Sequence, residues 1–285
     1  MSTRFGYLRP ATLKEALDFL LSRGSRTSVL AGGTDLMIAV RRGDIDRDVI
    51  LDVSRLAELR GVEQEGGLLS IGAALTYTEI MDSCEIRSAA PVLSQAAGCV
   101  GSVQIRNKGT LGGNVANASP AADSIPAMIV HKALVRIESS AGSRTIPLEE
   151  LVVAPYRTIL QHHELITRFL LEPLVNGWRH SFQRIARRRA LSVARINAAA
   201  VAKLGENGKV AELRLSVGSV MPQPARMTAA EGFLLRQRPD LGLVREAATL
   251  VSREMVRRSG VRHSTEYKRP AVEGLVTKVL TEVLL

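Results

Sequence analysis

Two glycine pairs, Gly32-Gly33 and Gly112-Gly113, stand 80 positions apart and constrain this chain more than any other feature. The first pair lies in Val29-Leu30-Ala31-Gly32-Gly33-Thr34-Asp35-Leu36, which reads as a short apolar strand, a double-glycine turn and the start of an amphipathic run. The second lies in NKGTLGGNVANASPAADSIPAM, residues 107–128. There Gly109, Gly112 and Gly113 are followed by the small or polar Asn114, Asn117 and Ser119, then Pro120, Asp123 and an apolar helical start at Ile125. Glycine permits positive φ and lets backbone approach a ligand closely. Consecutive amides in such a loop form a concave, partly positive nest suited to phosphate. One such loop is only a turn. Two of them point to a site built from backbone amides.

The charge balance is basic, +10 overall. A basic chain can bind nucleic acid, but the densest cluster, 184–189, sits among apolar residues, and helix-turn-helix, zinc-finger and RNP patterns are lacking. The expectation is no nucleic acid. A basic face for acidic partner subunits or for a dinucleotide stands beside a merely solvated surface. Cys84 and Cys99 are too few for an iron–sulfur cluster held by this chain alone, which takes about four thiolates. They read as two buried thiols in a reducing cytoplasm. The opening MSTRFGYLRP lacks an apolar signal core. No apolar run reaches the roughly 18 residues of a membrane span. His131, His162, His163, His180 and His263 show no metal-ligand spacing, and adjacent His162 and His163 would point apart in a strand. No metal site and no catalytic side chain is assigned.

In chain order, the pattern predicts a helix at 12–23 with Thr12 and Glu15 as its cap, a strand at 28–31, a helix at 36–41 and a strand at 49–53. A second lobe opens with a strand at 68–71, a helix capped by Thr78 and a helix at 91–99, then a long glycine-rich loop. A hairpin at 133–137 and 144–146 and a strand at 165–171 complete it. Beyond Asn176-Gly177, strands are expected at 180–185, 194–203 and 210–217, the last two joined through Asn207-Gly208. Helices are expected at 228–236, 243–256 and 265–284, where Leu275, Val279 and Val283 recur on one face.

The motifs AGGTDLM and TLGGNVANASPAADSIPAM, with FGYLRP, LAELRG, QIRN and STEYKR, resemble the FAD-binding subunits of the xanthine dehydrogenase and carbon monoxide dehydrogenase family of molybdenum hydroxylases. The likeness covers nearly the whole chain and is nearest to bacterial xanthine dehydrogenase-like subunits. It implies an α+β fold. A PCMH-type FAD-binding domain of two α/β lobes (1–57 and 58–176) would precede a C-terminal domain (177–285) with a three-stranded antiparallel sheet and helices. It implies noncovalent FAD, since neither glycine loop holds a His or Cys. With aromatics at 4%, a flavin would pack largely on aliphatic side chains.

By the resemblance, Val29, Leu30, Ala31, Gly32, Gly33, Thr34, Asp35 and Leu36 hold the cofactor together with Thr110, Leu111, Gly112, Gly113, Asn114 and Asn117. Thr34 and Thr110 can donate hydroxyls to phosphate or ribose. Asp35 matches a polar or acidic family position and equally suits a helix N-terminus. Asp123 stands where the family keeps an acidic residue near the adenosine. Val100 stands at a position aromatic in animal relatives. Ile166 stands where backbone meets adenine, and Arg184 where relatives place a lysine that reaches the flavin. Ser192 replaces a common aspartate. The implied role is electron transfer from a [2Fe–2S] partner through FAD to NAD or another acceptor. The organic substrate would react at a molybdopterin subunit, not at this chain, within a dimer of heterotrimers. A self-contained FAD-dependent oxidoreductase and a non-redox nucleotide-binding scaffold are the alternatives.

Overall fold

A computed structural model describes residues 5–188 and 192–285. The first lobe contains β1 (Gly6–Leu8), α1 (Leu13–Arg23), β2 (Thr27–Leu30), α2 (Leu36–Arg42) and β3 (Val49–Asp52). The strands are parallel, in the order β1-β3-β2. Thr12 caps α1 by accepting from the Glu15 amide at 3.2 Å, and Ala16, Leu17 and Leu20 bury its inner face. Asp52 ties the sheet to the N-terminal segment, accepting from the Tyr7 hydroxyl at 2.5 Å and from Arg9 at 2.9 Å.

The second lobe runs β4 (Val62–Glu65), β5 (Leu68–Gly72), α3 (Tyr77–Asp82), α4 (Cys84–Ala89), α5 (Pro91–Cys99), α6 (Val103–Arg106), α7 (Leu111–Asn117), α8 (Ser124–Val130), β6 (Leu134–Ser139), β7 (Gly142–Pro147), α9 (Leu148–Leu151), β8 (Val152–Ala154), β9 (Arg157–Thr158) and β10 (Leu165–Leu171). Its antiparallel sheet has the order β4-β5-β10-β6-β7. The cap of α3 is Thr76 rather than Thr78. Thr76 and Glu79 exchange hydrogen bonds as a capping box, while the Thr78 hydroxyl donates to Asn107 at 2.5 Å. The stretch expected to be a long loop holds α6 and α7. Gly112 and Gly113 disfavour helix, yet α7 forms because Thr110 caps it and Leu111 and Val115 are wholly buried.

The C-terminal part comprises β11 (Trp178–Ala186), β12 (Ala194–Leu204), β13 (Val210–Gly218), α10 (Thr228–Leu234), α11 (Leu241–Ser259) and α12 (Thr265–Leu284). The strands are antiparallel, in the order β11-β12-β13. Central β12 is covered on both faces. Ile196, Ala198, Ala200 and Ala202 share a core with Val272, Val276 and Val279 of α12. Ala199 and Val201 meet Val92 and Ala96 of α5 and Ala127 and Val130 of α8. Alanines keep β12 thin enough for helices to approach from both sides. Arg214 of β13 is fully buried at this junction. It donates to the Val130 carbonyl at 3.2 Å, to Glu212 at 2.7 Å and to Glu172, and it lies over the Trp178 ring, 4.6 Å from its centre.

Candidate cofactor site

The first glycine loop leaves the end of β2. Gly33 has φ +72°, a left-handed turn that aims the chain into α2. Among the described residues, the amides of Gly32, Gly33, Thr34 and Asp35 donate to no protein acceptor. These open donors lie on half-buried or exposed backbone, and α2, which follows, buries none of its residues. Asp35 occupies the N-cap position without capping; its carboxylate is 3.4 Å from the Thr34 hydroxyl. Val29 is exposed, and Leu30, Ala31 and Leu36 are half-buried.

The second loop lies directly against the first. A side chain at Gly32 would overlap the Lys108 carbonyl, and a Cβ at Gly109 would sit 3.6 Å from the Thr34 hydroxyl. The amides of the second loop are otherwise engaged. Leu111 donates to the Leu75 carbonyl at 3.0 Å, Gly112 to Ala73 at 2.8 Å, Gly113 to the Thr110 hydroxyl at 3.2 Å and Asn114 to the Thr110 carbonyl at 3.0 Å. The two loops therefore differ: the amides of 32–35 are open, whereas closing α7 takes up those of 111–114. The Thr110 hydroxyl, accepting from Gly113, keeps its own proton to donate.

Asn114 accepts from the Ser124 hydroxyl at 2.7 Å, which leaves its NH2 as a donor. Beneath them the fully buried Tyr77 places its hydroxyl 3.4 Å from that of Ser124. Burial raises the Tyr77 pKa well above the ordinary phenol value, so it stays protonated. Asn117 is half-buried at the end of α7, whereas the side chain of Leu111 belongs to the core.

A third group lies where α8 meets the C-terminal sheet. Asp123 accepts from Arg184 at 3.0 Å and from Asn197 at 2.8 Å. Burial pushes the Asp123 carboxyl up, and these two donors draw it only part of the way back. Arg184 also donates to the Ser192 carbonyl at 3.3 Å. Val100 ends α5 next to Cys99 and packs on the second-lobe core. Ile166 is buried in β10 opposite Ile137, its side chain in the same core. The structure thus joins the two loops to each other and Asp123 to Arg184. Asn197, Tyr77 and Ser124 were missed by sequence reasoning. An asparagine inside the apolar run INAAAVA was the legible signal. Of the arginine cluster, Arg189 lies outside the described residues.

Two sequence readings change. Cys84 is exposed and Cys99 half-buried, not a buried pair. His162 and His163 occupy a turn rather than a strand.

The family model for the FAD binding domain in molybdopterin dehydrogenase matches residues 3–171, more than half of the chain. This chain belongs to the FAD-binding subunits of the xanthine dehydrogenase and carbon monoxide dehydrogenase family. The model for the CO dehydrogenase flavoprotein C-terminal domain matches residues 181–283 of the subunit. The subunit is 32% identical to the xanthine dehydrogenase FAD-binding subunit of Escherichia coli O157:H7, over 98% of its own length and 95% of that protein. It is 31% identical to the glyceraldehyde dehydrogenase medium chain of Sulfolobus acidocaldarius, covering 98% of each. Its fold matches a chain of carbon monoxide dehydrogenase from Hydrogenophaga pseudoflava with a TM-score of 0.92 and 26% identity, over 98% of the subunit and 97% of that chain.

The family cofactor suits the residues present. A diphosphate needs several donors without bulky side chains in the way, and the four open amides around Gly32-Gly33 meet that need. Beside Pro120 and Ala121 a groove of about 780 Å³ opens, walled by Tyr156, Tyr267, Arg195 and Lys268. Arg195 lies over the Tyr267 ring, 5.2 Å from its centre. No helix among the described residues is long and apolar enough to cross a membrane.

Proposed function

We propose that the subunit binds FAD noncovalently and carries electrons from a [2Fe–2S] partner to NAD or another acceptor. A molybdopterin subunit oxidises the organic substrate, and the cytoplasmic assembly is a dimer of heterotrimers. The observation that carries this reading is the seating of two loops from distant sequence against each other, with the amides of Gly32 to Asp35 open. These amides hold the diphosphate, assisted by the hydroxyls of Thr34 and Thr110 and the NH2 of Asn114. Val29, Leu30, Ala31, Leu36, Val100, Leu111, Asn117 and Ile166 line or support the site, and Gly112 and Gly113 keep the second loop slim. Asp123 and Arg184 supply a charge pair from the junction. The cofactor domain is 1–176 and the C-terminal domain 177–285. Bound FAD supplies reversible one- and two-electron chemistry. The groove of Tyr156, Tyr267, Arg195 and Lys268 combines exposed rings and cations, which favours a nucleotide acceptor.

The test is anaerobic mixing. The isolated flavoprotein should keep its oxidised flavin band with purines or aldehydes. Adding the two partner chains and substrate should bleach the band, and NAD should restore it. Bleaching by a purine or aldehyde with no partner present would replace this reading with a self-contained oxidoreductase.

A further inference from the structure

Asn197 has no solvent exposure, and its amide group has a well-defined orientation. Nδ2 donates to Asp123 Oδ1 at 2.8 Å and to the Ala122 carbonyl at 3.4 Å. The reverse amide orientation would set Oδ1 against a carboxylate, so the charge of Asp123 selects the one observed. Asp123 Oδ2 accepts from Arg184 Nη1 at 3.0 Å. Arg184 and Asn197 are directly opposed across β11 and β12. The Asp123 carboxylate therefore bridges the two side chains, with one oxygen on each donor. The side chains of Arg184 and Asp123 are only 9% and 6% exposed.

Among the described residues Asn197 Oδ1 has no hydrogen-bond partner. An unsatisfied buried amide oxygen is unfavourable, and a leucine here would avoid it. The slot is nevertheless shaped for asparagine. Gly218 lies opposite on β13, and a side chain there would overlap Asn197 Oδ1. The hydrogen-bonding service of the residue is to the Asp123 end of α8.

We infer that Asn197 is a positioning residue for the cofactor site: it fixes the Asp123 carboxylate, which in turn holds the Arg184 guanidinium ready before FAD arrives. This rests on the reading that places Asp123 and Arg184 at bound FAD. A preformed charge pair loses less freedom on binding than one that must be assembled. Asn197 acts through Asp123 and needs no contact with FAD.

A double-mutant cycle on the apo chain tests this, read as the FAD dissociation constant from flavin fluorescence. Asn197→Leu should weaken FAD binding about tenfold, the effect of one charge-assisted hydrogen bond. In an Asp123→Ala background the same change should cost nothing further, because the route through the carboxylate is already gone. The midpoint potential of bound flavin should shift in Asn197→Leu and in Asp123→Ala in the same direction. If Asn197→Leu does not fold, Asn197→Ala completes the same cycle. Wild-type affinity in the Asn197 variant beside a weakened Asp123→Ala, or strictly additive losses, overturns this inference alone. A wild-type chain that takes up no FAD overturns the parent reading and this one with it.

Discussion

The Lys108 carbonyl occupies the space where a side chain on Gly32 would begin. This close approach joins a loop of the parallel first lobe to a loop of the antiparallel second lobe. It explains a glycine at 32 independently of any ligand. Gly113 differs, since it is exposed and a Cβ there meets the Thr110 hydroxyl at 2.9 Å and the Ala31 Cβ at an ordinary 3.9 Å, with no backbone in the way.

Gly32→Val should therefore separate the loops. Bound flavin in the purified protein should fall to about a tenth of wild type, with helix content retained. Gly113→Ala should lose far less. The flavin-to-protein absorbance ratio decides, and equal losses in the two variants would contradict the packing argument.

Tyr77 and Ser124 form a hydroxyl chain that ends on the Asn114 side-chain oxygen and so fixes which end of that amide can donate. Tyr77→Phe and Ser124→Ala should each weaken FAD binding several-fold, while thermal unfolding shifts by only about 1 kcal/mol. FAD titration of the apo variants measures it. Unchanged affinity in both removes the chain from the site.

Arg214→Leu removes a buried cation that ties β13 to α8 and to Glu172. Glu172 and Glu212, its two carboxylate partners, are partly solvated, and the buried charge itself is relieved, so the expected loss is about 2–3 kcal/mol rather than more. Trp178 is the only tryptophan and lies under the guanidinium, so its emission should change as well. Urea unfolding followed by that fluorescence gives both quantities. Wild-type stability would show that the network contributes nothing net.

His131 is wholly buried, and burial lowers its pKa from 6.5 to about 4. Between those values the unfolded imidazole binds a proton that the folded one refuses. Stability from this group is complete above pH 6.5 and declines as pH falls toward 4, at most about 1.4 kcal/mol per pH unit. His131→Phe should flatten the pH 6.5–5 limb relative to wild type. Parallel limbs for the two proteins would exclude His131 as the cause.

Much of the fold was legible because its signals are local. The hairpin β6–β7, the sheet β11-β12-β13 and helices α11 and α12 follow from apolar periodicity, turn residues and caps. Strand β4 escaped because its sequence VEQE carries no apolar alternation; pairing with β5 decides it. Helix α7 escaped because glycine propensity argued against it, and contacts to Ala73 and Leu75 overrode that propensity.

The sequence by itself determined the family, the two glycine motifs and the strands and helices with strong apolar periodicity, since each is written in residue identity and spacing. Tertiary structure alone decided which loop keeps its amides open, that Thr76 rather than Thr78 caps α3, and that Asn197, Asp123 and Arg184 meet. Those outcomes depend on which donors and acceptors are brought together from positions far apart in the chain. A hydrogen-bonding group has limited capacity, and its partner is fixed only once the backbone has packed.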